Sequence, residues 1–149
     1  GASTQSGAIV ANGSSNQVKA AFEYGYNIGL AFQIIDDVMD YSFSKTKMGK
    51  NQGDDFKLGK TTLPIILAWE QSNKLEREFF LKSLQELKQE KGDFEKCCEI
   101  FNKYSILNQC KKIANDFILK AIDALNEFSE NDYKIALIEL AKNSLIRDN

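Results

Sequence analysis

The chain has 149 residues, 43% of them apolar, and its 19 basic and 21 acidic side chains give a formal net charge of −2. That length suffices for one domain with a sizeable core, and the charge balance gives no support for nucleic-acid binding. No apolar run approaches the roughly 20 residues of a membrane span, and the lack of any histidine excludes Ser-His and Cys-His nucleophilic arrangements within these residues.

A single proline and no period-two alternation predict an all-α chain. The first clear helix covers 16–41, opened by Ser14 or Ser15 as its cap. Gly25 and Gly29 stand four apart in it, a spacing that reads as close helix packing. Residues 29–41 are GLAFQIIDDVMDY. On a helix Gly29, Gln33, Asp36 and Asp40 line one face, while Leu30, Phe32, Ile34, Ile35, Val38, Met39 and Tyr41 cover most other directions. A helix apolar nearly all round is a buried one, so Asp36 and Asp40 are expected to point inward or into a cavity, one turn apart. Their charges repel each other and oppose the dipole of the helix end. Burying them unpaired would cost on the order of several kcal/mol, comparable to the stability of a small domain. The arrangement therefore calls for a cation, and ligands that are all oxygen suit a hard one, above all Mg2+. The alternative is a solvated acidic helix end.

Residues 42–60 follow as SFSKTKMGKNQGDDFKLGK, with Lys45, Lys47, Lys50, Lys57 and Lys60 against Asp54 and Asp55, and Gly49, Gly53 and Gly59 between them. Glycines let the backbone approach an anion, and lysine reaches phosphate oxygens as a point charge. After an acidic helix suited to Mg2+, this loop predicts a site where the metal bridges a di- or triphosphate. It is no Walker loop: one residue too many separates Gly53 from Gly59, and no strand precedes it. Asp54 and Asp55 read as partners of the loop's own lysines, with an outer-shell metal role for one of them as the alternative.

Downstream, Leu63–Gln71 is a helix with Thr61 or Thr62 as cap and Pro64 in its first turn. Residues 74–88 form a charged amphipathic helix with Leu75, Phe79, Leu84 and Leu87 inward, broken by Gly92 and Asp93. A shorter helix covers 94–104. Ser105 then caps a long one whose Ile106, Cys110, Ile113, Phe117, Ala121, Ala124 and Phe128 recur at helical spacing. The last helix starts at Asn131 or Asp132 and ends near Arg147. Cys97, Cys98 and Cys110 are odd in number, and the adjacent pair points apart on a helix. They read as free, buried or half-buried thiols in a reducing, cytoplasmic setting.

GLAFQIIDDVMDY, the Gly49-Lys50 pair, GDD at 53–55 and GKTTLP at 59–64 together resemble the second half of the trans-isoprenyl (polyprenyl) diphosphate synthases. That family's second aspartate-rich motif has the form F-Q-x-x-D-D-x-x-D, followed by G-K…G-x-D…G-K-x-T-x-P. The match is strong over 7–64 and weaker through the helical remainder. It implies the C-terminal part of the isoprenoid synthase helical bundle, with 1–149 as the C-terminal portion of a single synthase domain. It implies Mg2+ as cofactor, with Asp36, Asp37 and Asp40 as the metal residues: Asp36 a direct ligand, Asp40 acting through metal or bound water, and Asp37, about 100° round the helix from Asp36, either supporting the ligands from behind or orienting the helix. Lys50 and Lys60 would contact the allylic diphosphate. Gln33 would either steady positive charge on the reacting allyl group with its amide oxygen or serve as a packing amide.

The implied reaction is prenyl transfer: pyrophosphate leaves the allylic substrate with Mg2+ assistance, and the allylic cation alkylates isopentenyl diphosphate. A long-chain synthase of the octaprenyl or decaprenyl type, making quinone side chains, is the leading reading. A farnesyl or geranylgeranyl diphosphate synthase, or a non-catalytic Mg-diphosphate-binding subunit, are the alternatives. The resemblance also implies a homodimer in the full-length enzyme. The first DDxxD motif, a Lys-Thr pair upstream of GAIVAN and a basic cluster for isopentenyl diphosphate are not in this sequence, whose two arginines are Arg77 and Arg147. The chain therefore reads as the C-terminal half of a synthase, and is expected not to be competent alone.

Overall fold

A computed structural model describes residues 1–42 and 52–145, where all regular secondary structure is helical. In chain order the α-helices are α1 Ala2–Val10, α2 Ser15–Asp40, α3 Asp54–Lys57, α4 Leu63–Gln71, α5 Lys74–Phe80, α6 Asp93–Lys103, α7 Ile106–Ala124 and α8 Asp132–Asn143. A π turn, Leu81–Gln85, continues α5, and a 3-10 turn, Leu125–Glu127, continues α7. The chain divides into two compact units, one of Gly1–Ile35 with Lys112–Asn149 and one of Asp36–Lys111.

In the first unit α2 opens with a reciprocal cap: Ser14 Oγ accepts from the Gln17 amide at 3.3 Å, and Gln17 Oε1 accepts from the Ser14 amide at 2.9 Å. Ala20, Tyr24, Asn27, Ala31, Ile34 and Ile35 form its buried stripe. Tyr24 donates its phenol hydrogen to the Leu137 carbonyl of α8 at 2.8 Å, and burial pushes its pKa up to about 12. The glycine pair splits in its roles. A Cβ on Gly25 would lie 2.2 Å from Thr4 Oγ1 of α1, whereas one on Gly29 would meet nothing within 4 Å. Close packing thus holds at Gly25 and fails at Gly29. On α8 the buried Lys134 donates to the Phe128 carbonyl at 3.0 Å and to Glu130 at 2.6 Å, closing off the chain after α7.

The second unit is built on rings. Tyr41 lies against Phe101 with centroids 4.8 Å apart and against Phe94 at 6.0 Å; Phe56 meets Phe94 at 5.9 Å and Phe79 at 6.5 Å. Cys97, Cys98 and Cys110 are buried free thiols among them. Burial pushes all three upward, Cys98 and Cys110 to about 11. α4 spans the predicted residues with Pro64 in its first turn.

The 74–88 helix does not run through. Asn73 and Glu76 form a capping box at its start, at 2.9 and 3.0 Å, but the α-helix gives way to the π turn after Phe80. Leu75 is 75% exposed and Leu87 58% exposed, against the inward placement expected of both. Leu87 has φ +54, a left-handed conformation that ends the segment. Along α7 the inward set is Ile106, Cys110, Ala114, Ile118 and Ala121, with Leu125 beyond it. Ile113, Phe117, Ala124 and Phe128 are half-buried, one position out of phase with the periodic reading.

Candidate functional site

The end of α2 carries Asp36, Asp37 and Asp40, and their burial corrects the expected orientation. The inward stripe of α2 continues through Ile34, Val38 and Tyr41, all buried. Asp37 lies between these positions and is the buried carboxylate, 7% exposed. Asp36 and Asp40, expected to face inward, are half-buried at the edge of the stripe. Gln33 is exposed on α2 in the first unit.

Asp40 organises the start of α3. Its carboxylate Oδ2 accepts the Asp55 amide hydrogen at 3.0 Å, and its carbonyl accepts from the Gly53 amide at 3.0 Å. Burial raises its carboxyl pKa, and the charges of Asp55 and Asp54 add to that, against the lowering by the Asp55 amide. The short helix α3 thus begins under the end of α2. Glycines with positive φ flank it, Gly53 at +76 and Gly59 at +66. Both positions are also close approaches: a Cβ on Gly53 would lie 2.7 Å from the Phe94 ring, and one on Gly59 would lie 2.5 Å from the Leu84 carbonyl oxygen.

The loop's acids pair with its own lysines, as expected from their proximity along the chain. Lys57 meets Asp54 at 3.1 Å and Lys60 meets Asp55 at 2.5 Å. The bond to Asp55 raises the pKa of the exposed Lys60 ammonium. Lys50, with Lys45, Lys47 and Gly49, lies outside the described residues. Thr62 is the N-cap residue of α4, yet its side chain makes no cap bond. Its hydroxyl is buried near the Tyr41 phenol, and neither oxygen makes a well-directed hydrogen bond.

One residue of this site carried no signal in the sequence. Gln89 sends its side-chain amide to the Phe56 carbonyl of α3 at 2.8 Å and to the Ser83 carbonyl of the π turn at 2.9 Å. A lone glutamine in a run of Lys, Glu and Gln has no distinguishing spacing.

Among the described residues, no three His, Cys, Asp or Glu side chains gather to hold a metal. The donors at the end of α2 are nonetheless hard oxygens, and one oxygen of Asp40 is taken by the Asp55 amide. Such a set fits a metal shared with phosphate oxygens, which is how Mg2+ ordinarily binds, and does not fit an all-protein cage. Chemically the site offers acid groups for a hard cation and, beside them, a lysine held charged by a carboxylate.

The polyprenyl synthetase family model matches residues 1–101. The chain is 35% identical over 144 residues to an octaprenyl diphosphate synthase of Haemophilus influenzae, covering 97% of this chain and 44% of that protein. It is 34% identical to a probable mitochondrial hexaprenyl pyrophosphate synthase of Neurospora crassa, covering 98% of this chain and 31% of that one. Among solved structures, a decaprenyl diphosphate synthase from Rhodobacter capsulatus superposes with a TM-score of 0.90 at 32% identity, covering 98% of this chain and 45% of that one. A polyprenyl synthase from Caulobacter crescentus, complexed with calcium and isoprenyl diphosphate, gives 0.88 at 37% identity, covering 97% and 44%. The chain thus spans less than half the length of each of these four relatives.

Proposed function

The chain belongs to the polyprenyl synthetase family, and from that premise we propose that it is the part of a long-chain prenyltransferase that grips the departing diphosphate. The substrates in this reading are an allylic diphosphate and isopentenyl diphosphate. Mg2+, when bound by Asp36, Asp40 and phosphate oxygens, would supply Lewis-acid stabilisation of the charge gathering on pyrophosphate. Asp37 fixes the helix end from its buried side. Lys60 leaves Asp55 for a phosphate oxygen, and Lys50 is proposed to join it. Gln33 is proposed to turn its amide oxygen toward the reacting allyl group. The allylic carbon–oxygen bond breaks with its electron pair on pyrophosphate, a carbon–carbon bond forms to isopentenyl diphosphate, and a proton is then lost. No side-chain nucleophile is required.

The observation that carries this reading is the seating of α3 by Asp40, which sets the Asp55–Lys60 pair just after the acidic helix end. The octaprenyl and hexaprenyl names of two relatives favour a long product, as for a quinone side chain. A homodimeric, cytoplasmic enzyme is part of the same proposal. So is the inactivity of the isolated chain, and detectable condensation of isopentenyl diphosphate by it would refute that part.

The test is calorimetric titration of the chain with pyrophosphate, with and without Mg2+. Binding should require Mg2+, vanish in Asp36→Asn, and weaken roughly tenfold or more in Lys60→Ala, the scale of a charge-assisted hydrogen bond. Pyrophosphate binding indifferent to Mg2+ and to both substitutions would overturn the assignment.

A further inference from the structure

We propose that Gln89 is a positioning residue for Lys60, holding α3 and the turn after it against the π turn so that the lysine is presented beside Asp55. Three independent features meet at this seat. First, the Gln89 amide donates to the Phe56 carbonyl at 2.8 Å and the Ser83 carbonyl at 2.9 Å, with Lys57 O at the outer limit of 3.5 Å. Both of its hydrogens thereby serve backbone oxygens, that of Phe56 alongside the Gly59 amide and that of Ser83 within the π turn.

Second, Gly59 sits so close to the same turn that a Cβ would be 2.5 Å from the Leu84 carbonyl oxygen and 2.6 Å from Leu87 Cδ2. Third, the supporting segment is itself irregular. A π turn is followed by left-handed Leu87, and the Lys88 amide reaches back to the Lys82 carbonyl at 3.0 Å. Such turns are uncommon and recur at functional sites.

The geometry ties the seat to the site by a short route. Phe56 follows Asp55 directly, and the amides of Leu58, Gly59 and Lys60 bond back to the carbonyls of Asp54, Phe56 and Asp55 at 3.0, 3.0 and 2.9 Å. Gln89 is the one described side chain bonding the Phe56 carbonyl from across the unit. Loosening it frees the turn that carries Lys60, while Asp40 still holds the start of α3 through the Asp55 and Gly53 amides. The consequence for diphosphate rests on the proposed role of Lys60; the positioning itself does not.

The test compares Gln89→Met, which keeps the shape without the donors, with Gln89→Lys, which keeps a donor of similar reach. Amide hydrogen exchange needs no substrate. In the Met variant, exchange at Leu58, Gly59 and Lys60 should quicken roughly tenfold, the worth of about one hydrogen bond, while amides of α4 and α7 keep their rates. The Lys variant should restore much of the protection. Magnesium pyrophosphate should bind the Met variant more weakly and the Lys variant nearly as the parent does, with Mn2+ affinity alone unchanged.

Unchanged exchange at those three amides would overturn the proposal, as would faster exchange throughout the unit with a matching fall in melting temperature. Locally faster exchange with undiminished pyrophosphate affinity would overturn the link to Lys60. If the parent chain binds no pyrophosphate while local exchange responds as expected, Gln89 stands as the seat of α3 and the diphosphate reading falls.

Discussion

Two glycines four residues apart on α2 should respond to the same substitution with opposite sign. A glycine in a helix interior costs roughly 0.5–1 kcal/mol relative to alanine, because the unfolded chain has more conformations to lose. At Gly29 a new methyl meets nothing within 4 Å, so Gly29→Ala should gain that amount, a rise of about 2–4 °C per kcal/mol for a chain of this size. At Gly25 the methyl would lie 2.2 Å from Thr4 Oγ1, 2.8 Å from its Cγ2 and 3.0 Å from its Cβ. Turning the side chain away cannot relieve the Cβ contact, so α1 itself must shift. Overpacking of this kind costs about 1–3 kcal/mol. Moving Thr4 also breaks its 2.9 Å bond to the Gly1 carbonyl, worth about 1 kcal/mol net. After subtracting the helix-propensity gain, Gly25→Ala should lose about 1–3 kcal/mol.

The assay is urea unfolding of both variants and of Thr4→Ala combined with Gly25→Ala. The double variant should recover part of the loss, because Thr4→Ala removes the 2.2 and 2.8 Å contacts and leaves the 3.0 Å one at Cβ, a coupling of the size seen between touching residues. Stabilisation by Gly25→Ala equal to that by Gly29→Ala would refute the seating of α1 on α2 at Thr4.

Gly59→Ala should destabilise the chain by about 2 kcal/mol or more, since a left-handed φ and an approach to backbone oxygen combine; a chemical melt reads this, and a neutral effect would mean the turn relaxes freely. Glu76 has its pKa lowered by Lys103, with the Asn73 amide and the Tyr104 hydroxyl assisting. Its ionised form therefore stabilises the fold above the ordinary glutamate range, and that contribution is lost as pH falls through the depressed value. Glu76→Gln keeps an oxygen for the Asn73 amide but loses the charge that faces Lys103 and Tyr104, so it should lower stability near neutral pH by up to about 1 kcal/mol, with the difference from the parent closing in acid; a gap that persists there would point to packing instead. Tyr41→Phe removes a buried hydroxyl without a well-directed partner, so stability should hold or rise by up to about 1 kcal/mol; a clear loss in a thermal scan would mean that the hydroxyl is bonded in solution.

Where local chemistry decides structure, the sequence was readable. Ser14, Pro64 and Asn131 mark helix starts, and α2, α4 and α8 begin within a residue of the positions they predict. The salt bridges of Asp54 and Asp55 follow from proximity along the chain. The hidden features depend on partners distant in sequence. α1 is rich in Ser, Thr and Gly and has no apolar stripe to announce it. α3 is four residues between glycines, held by an Asp40 carboxylate fifteen positions away. The face carrying Gln33, Asp36 and Asp40 reads as inward because apolar residues surround it. Helical phase is set by Tyr24, Ala31, Ile34 and Val38 against their neighbours, and it turns Asp37 inward instead. Leu87 looks inward only on the premise that one helix continues past Phe80, while Leu75 stands exposed in the first turn of α5 although Phe79, one turn on, is buried.

The three buried thiols give the protein an internal clock. A thiol with a pKa near 11 is thiolate only about once in ten thousand molecules at neutral pH, and Cys97 and Cys110 present no surface to a reagent. Alkylation must therefore wait for the structure to part. All three lie within Asp36–Lys111, on α6 and α7, so their labelling times the opening of the structure around them. Under conditions where reclosing outpaces the reagent, the ratio of observed to intrinsic labelling rates is the equilibrium constant for that opening.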